Sequence, residues 1–270
     1  MTPKRRPFGI DFSGARLAGK AIWIAEGRLD GKNRVELVDC YPASALPRSG
    51  ADRTLALAAL RRLIATTPDG IFGCDFPVGL PRNVLQGADW KSFIGSFHRH
   101  EHAEAFRETC RRITQGKEIR RETDKIAKTP FCAWNLRLYR QTYHGLADIV
   151  APLHRERLAS IISVEPPHPE RAWIAETCPA SVLKRLDLYR PYKGRTPATR
   201  SMRRDIIAVL IERGYLLAPS RSHRDRLIDD QGGDALDSVI ACLAAAAALH
   251  QLGGPISETD RIEGKVFFEL

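Results

Sequence analysis

Five acidic residues stand where carboxylates can do chemistry. Asp11 in "GIDFSG" and Asp75 in "GCDFPVG" each close an apolar run with Asp-Phe ahead of a glycine-containing turn. Glu176 in "WIAETCP" repeats the theme before Pro179, and Asp234 and Asp237 open "GGDALDSVIACLAAAAALHQ", the longest apolar run of the chain. Carboxylates brought together repel and raise one another's pKa, so a cluster is tolerated mainly where a cation neutralises it. Hard oxygen donors select Mg²⁺ or Mn²⁺ over zinc. Each acid also has an ordinary role available. Asp234 and Asp237 can cap a helix start and favour its dipole, Asp11 and Asp75 can bind turn amides, and Glu176 can pair with an arginine. The joint pattern carries more weight than its parts, because chance does not usually place acids at several strand ends and at the start of the one strongly buried helix.

The elements that must position these acids follow from the patterning. "RPFGIDFSG", "KAIWIAEG" and "RVELVDCYPA" read as three strands with short connections, an antiparallel meander. A helix is predicted from about Asp52 to Thr67, with Asp52 as N-cap and Leu55, Ala58, Ala59 and Leu63 on its inner face. "DGIFGCDFPVG" is the fourth strand. Residues 82–165 turn charged, aromatic-dotted and helical, and read as a helical insertion. The core pattern returns in the strand "ERAWIAETCPAS" and the helix "ASVLKRLDLY", and "GRTPATRS" reads as a mobile linker. A helix "MRRDIIAVLIERG" closed by Gly214 follows, then the alanine-rich helix and a short edge strand in "RIEGKVFFEL". A meander followed by strand–helix crossovers implies an α/β fold with a mixed sheet and helices on its faces. Asp11 and Asp75 would then emerge at the sheet edge where ligands of α/β proteins bind. On neighbouring strands they would stand about 4.8 Å apart, and Asp234 and Asp237 would share one face of a helical first turn.

The order of elements and acids resembles the RNase H fold, and most closely the family described as predicted RNase H-like nucleases. The matching stretches are "GIDFSGA", "GCDFPVGLP", "AETCPASVL", "GDALDSVIACLAAA" and "EGKVFF". The Asp-x-x-Asp opening of the last helix is similar to that of RuvC-type Holliday-junction resolvases. The resemblance implies a single RNase H-like domain over residues 1–270, with a mixed five-stranded sheet and the 82–165 insertion within it. It implies metal ligands at Asp11, Asp75, Asp234 and Asp237, with Asp11 bridging two Mg²⁺ or Mn²⁺ ions that hydrolyse a phosphodiester. Glu176 fits the same family as an accessory catalytic acid. The helix-borne glutamate of RNase H has no counterpart in "LALAALRRLIATT", which favours the RuvC-like variant.

Composition bears on the partner. The 270 residues carry a formal net charge of +10, and cationic side chains that neutralise phosphates release counterions. "KIAKTPFCAWNLRLYRQTYHG" interleaves Lys125, Lys128, Arg137 and Arg140 with Phe131, Trp134, Tyr139 and Tyr143, a combination used for nucleic-acid binding. Leu136, Tyr139 and Tyr143 also fall at helical spacing, which favours core packing for the aromatics and leaves the cations free. His98 and His102 have the spacing of two zinc ligands but no third partner. Six scattered cysteines without a C-x-x-C pair read as reduced thiols. No apolar stretch reaches the roughly 18–20 residues of a membrane span, and the N-terminus has no long apolar core, so a cytoplasmic location is expected. Two other readings stay open. One is a nucleic-acid-binding module with this fold that cleaves nothing. The other is an actin-like or sugar-kinase-type phosphotransferase, for which "DFSG" and "DDQGGD" could pass as phosphate loops, although such proteins usually carry two copies of the core.

Overall fold

Period-two alternation gives the central strands two different faces, and the whole architecture follows from that difference. The computed structural model describes residues 5–252 and 254–270. Strands β1 (Arg6–Asp11), β2 (Trp23–Leu29) and β3 (Val35–Pro42) form the antiparallel meander. The helix Arg53–Ala65 crosses to β4 (Gly70–Cys74), which pairs parallel with β1. Beyond the helical segment, β5 (Ala159–Ile161) and β6 (Ala172–Thr177) join the sheet, and β7 (Val266–Phe267) returns to pair with β6. The order is β3-β2-β1-β4-β6-β5, with β7 also on β6. The expected five-stranded sheet is therefore a seven-stranded one. The two strands beyond five, β5 and β7, are short segments that share the outer edge of β6, and β7 lies in "RIEGKVFFEL", where an edge strand was expected. One of them, β5, lies inside the stretch read as wholly helical, where three residues are too few to show a period.

On one face, Phe8 and Ile10 of β1, Phe72 and Cys74 of β4 and Ile174 of β6 enter the larger core, in which Phe8 and Phe72 stack at 4.6 Å. Helix Arg53–Ala65 covers this face with Ala56, Leu57, Leu60 and Ile64, while Asp52 caps it by accepting from the Thr54 amide at 2.8 Å. Leu55, expected on the inner side, points outward and is 52% exposed. The helices between Arg82 and Arg155 pack into the same core through Phe97, Phe106, Trp134 and Tyr143. The 82–155 helices thus form part of the main fold.

The opposite face is lined by small residues. Ala25, Gly9, Gly73 and Ala175 lie side by side across β2, β1, β4 and β6. The helix Asp234–Gln251 lies directly on this row. A Cβ at Gly9 would fall 1.9 Å from the Ser238 carbonyl oxygen, and one at Gly73 would fall 2.4 Å from that of Ala241. Every residue of this helix from Ala235 to Ala246 is buried. Backbone-to-backbone approach of this kind is open only to glycine. Among the described residues, no single helix is long and apolar enough to cross a membrane.

"GRTPATRS", expected as a linker, instead starts a helix. Pro197–Glu212 is helical from Pro197, a favoured first residue, with the Thr196 hydroxyl capping the Thr199 amide at 3.2 Å. Its C-terminus is followed by Gly214 at φ 76°, as expected.

Candidate functional site

Asp11 ends β1, and Asp75 follows β4 by one residue, its amide donating to the Ile10 carbonyl at 3.0 Å. Both continue the parity of Gly9 and Gly73, so both lie on the face that carries helix Asp234–Gln251. That helix begins at Asp234, one residue after Gly233 in the left-handed conformation (φ 76°), and its first turn brings Asp234 and Asp237 to the same edge. Asp11 and Asp237 are 8% and 3% exposed, while Asp75 and Asp234 are half-buried.

Burial without full compensation shifts all four upward. Burial, then the charge of Asp237, holds Asp11 well above the usual carboxylate range. The same two causes push Asp75 up to about 7. Asp234 and Asp237 are raised by burial against the opposing charge of Lys193.

Lys193 and Tyr192 are the members of this site that sequence reasoning missed. The Lys193 ammonium lies 2.7 Å from Asp237 Oδ2 and 3.5 Å from Asp234 Oδ1. The buried Tyr192 hydroxyl donates to Asp237 Oδ1 at 2.6 Å. Burial works against the lysine charge, but Asp237 and Asp11 outweigh it and raise its pKa. Both residues sit in "YRPYKGRT", which reads locally as part of a basic, solvated stretch and has no periodicity to expose its contacts.

The donor set is all-oxygen and carboxylate-rich, which fits a hard divalent ion. As the side chains stand, however, no group of three or more His, Cys, Asp or Glu among the described residues is gathered closely enough to hold a metal. The expected four-aspartate cage is therefore present as a cluster of interacting charges, with Lys193 supplying part of the neutralisation.

Two cavities meet at Asp75. One, of about 500 Å³, is walled by Asp237, Tyr192, Lys193, Tyr189 and Arg190. The other, of about 210 Å³, is walled by Phe76, Phe131, Arg137 and Gln141. Gln141 fixes the turn between them by donating to the Asp75 carbonyl.

Glu176 lines the smaller cavity with Asp75, and its charge helps to raise Asp75, but its side chain leaves from the other face of the sheet. It pairs in register with Cys74, one residue before Asp75, so its side chain enters the opposite face of the sheet. There the buried Arg121 donates to both its oxygens, at 2.8 Å to Oε2, and the Val78 amide donates to Oε2 at 2.9 Å. Arg121 is also forked onto Asp124 at 2.8 and 3.0 Å. Glu176 thus anchors the helical segment to β6, and the parity of one residue sets it on the sheet face opposite Asp11 and Asp75 rather than among the aspartates.

Of the expected nucleic-acid contacts, Arg137 reaches the acidic edge, its guanidinium 5.6 Å from the Phe131 ring. Arg140 pairs with Glu104 at 2.7 Å and Lys125 with Glu122 at 3.0 Å. Lys128 is exposed in a left-handed turn and lines a separate cavity with Lys184 and Arg185. Tyr139 and Tyr143 are buried, as the packing alternative expected, whereas Leu136 is 67% exposed. His102 caps the helix Ala103–Ile113 through its ring, accepting from the Ala105 amide at 3.2 Å.

The raised carboxyls make a pH prediction. A group whose native pKa exceeds its unfolded one binds its proton more tightly when folded, so stability is lost as pH rises through the interval between the two. For Asp75 that interval runs from the ordinary 3.8 to about 7, and Asp11 acts in the same direction. The urea midpoint of the metal-free protein should therefore fall between about pH 5 and pH 8, with a smaller fall in Asp75→Asn. A midpoint that rises over this range would contradict the assigned electrostatics.

Compared with protein-family models, curated proteins and solved structures, the chain matches none.

Proposed function

We propose that this chain is a divalent-metal-dependent nuclease, hydrolysing phosphodiester bonds with Mg²⁺ or Mn²⁺ held by Asp11, Asp75 and the Asp234/Asp237 turn. One observation carries the reading. Three separate elements deliver four aspartates to one sheet edge, where burial raises every one of their pKa values and repulsion from neighbouring acids, Asp230 among them, adds to it. Such an arrangement opposes folding and is retained where a bound cation makes use of it. The strand order β3-β2-β1-β4-β6, with β2 alone reversed among these neighbours of the central strand, agrees with the RNase H resemblance and supports the same reading.

In this mechanism the ion, when bound, supplies Lewis acidity toward a phosphoryl oxygen and lowers the pKa of a water. Asp11, on the central strand between Asp75 and the helix turn, would be the principal ligand. Tyr192 holds Asp237 in one orientation through its 2.6 Å hydrogen bond, which presets the helix-borne ligand. Arg137 and Arg190, both exposed at the cavities flanking Asp75, are placed to receive phosphates on either side of the cleaved bond. The net charge of +10 gives the approach of a polyanion the right sign.

The test is hydrolysis of end-labelled single-stranded, duplex and junction DNA and of RNA, in Mn²⁺ and in EDTA. Cleavage of at least one substrate in Mn²⁺ and none in EDTA is expected. Binding to these substrates without cleavage would replace the nuclease by a non-catalytic nucleic-acid-binding protein.

A further inference from the structure

We infer that Lys193 is a resident cation of the acidic site, its ammonium holding the place of one of the two ions that a two-metal nuclease would bind, so that this site takes a single divalent ion. The inference rests on the metal-dependent reading above and departs from its two-ion form. Two aspartates contact the ammonium directly, at 2.7 and 3.5 Å, and its charge also reaches Asp11 and Asp75.

The position of Lys193 is built from several directions. Arg203, 1% exposed, comes from helix Pro197–Glu212 and donates to the Tyr192 carbonyl, to the Gly194 carbonyl at 3.3 Å and to the Ile228 carbonyl at 2.8 Å. The Gly194 amide donates to the Gln231 carbonyl at 2.7 Å. A buried guanidinium therefore grips the backbone on both sides of Lys193 and ties it to the segment that leads into the Asp234 turn. Gly233 completes the fit. A Cβ there would stand 3.0 Å from the Tyr192 ring and 3.2 Å from Lys193 Cγ. Tyr192, 5% exposed, is pinned to Asp237 by its hydroxyl, which holds the backbone from which the half-exposed Lys193 side chain reaches the aspartates.

Occupancy gives the count. The ammonium already stands against the oxygens of Asp237 and Asp234, at 2.7 and 3.5 Å, so a second ion bound to the same oxygens would have to displace it. A lysine, unlike an ion, is also present before any metal binds, which explains how the cluster folds without one.

Counting bound Mn²⁺ by equilibrium dialysis of the full chain at saturating metal tests this. One equivalent is expected for the wild type and for Lys193→Arg, which keeps the charge, and two for Lys193→Met, which keeps the length and removes it. Two equivalents in the wild type, or a count of one in both wild type and Lys193→Met, would overturn the role of Lys193 and leave the metal site standing. No binding in any of the three would remove the metal reading together with the inference. The wild-type count stands by itself if Lys193→Met does not fold.

Discussion

Asp11→Asn is expected to lower Mn²⁺-dependent phosphodiester hydrolysis by on the order of 10³-fold, the loss typical of removing one preorganised electrostatic group. The same change should raise the melting temperature of the metal-free protein. Asp11 sits on the central strand of the acidic edge, and its carboxyl is raised by burial and by Asp237. Above that pKa its charge opposes folding, and a neutral amide of the same shape removes the opposition. A gain in stability on Asp11→Asn is therefore expected near pH 8, in the direction that the raised carboxyl sets. Single-turnover cleavage and thermal unfolding in EDTA read the two effects. A preserved rate would remove Asp11 from the chemistry. A lost rate accompanied by a fall in melting temperature would show that the substitution had damaged the fold.

The second large effect concerns a position with no functional group. Gly9→Ala should destabilise the protein by about 3 kcal/mol or more, at the upper end of overpacking costs. The new methyl would meet the Ser238 carbonyl oxygen at 1.9 Å and the Cys242 amide nitrogen at 2.2 Å, both of them helix backbone. Neither atom can turn away as a side-chain tip would. Relief requires lifting helix Asp234–Gln251 from the sheet, which also withdraws Asp234 and Asp237 from Asp11 and Asp75. Weakened Mn²⁺ binding should therefore accompany the lost stability in chemical unfolding experiments. Gly95→Ala is the control. It lies in helix Trp90–Ser96 with nothing within 4 Å of its added carbon, and should be stabilising by about 0.5–1 kcal/mol. Equal and small effects at both positions would show that close helix-to-sheet contact does not hold the acids together.

Electrostatic strain and close packing are thus two sides of one construction. The row Ala25, Gly9, Gly73 and Ala175 lets an alanine-rich helix approach the sheet, and the approach forces its first-turn aspartates into the company of two others. Lys193, Tyr192 and the buried Arg203 then hold a compensating charge in place.

Much of this was legible along the chain. Apolar runs ending in Asp-Phe identified Asp11 and Asp75 as strand-end acids, and the meander showed in its alternation. The long apolar run announced a buried helix whose first turn carries two aspartates. These features are encoded locally, in residues a few positions apart, where backbone geometry turns spacing directly into direction. Tertiary structure decided the rest. Leu55 and Leu63 both suited the predicted inner face, but the path of the helix across the sheet left Leu55 in solvent. Glu176 looks like Asp11 and Asp75 in its own sequence neighbourhood, yet register with β4 turns it to the other face, toward Arg121, 55 residues away. Lys193 and Tyr192 lie in a stretch with no period at all, and their roles arise from contact with a helix turn some 45 residues on. The sequence by itself determined which acids stand at the ends of elements, because that is short-range geometry. Only the fold determined which of them share a face and which cation joins them, because a one-residue change of register reverses every side chain and no local pattern records the neighbour.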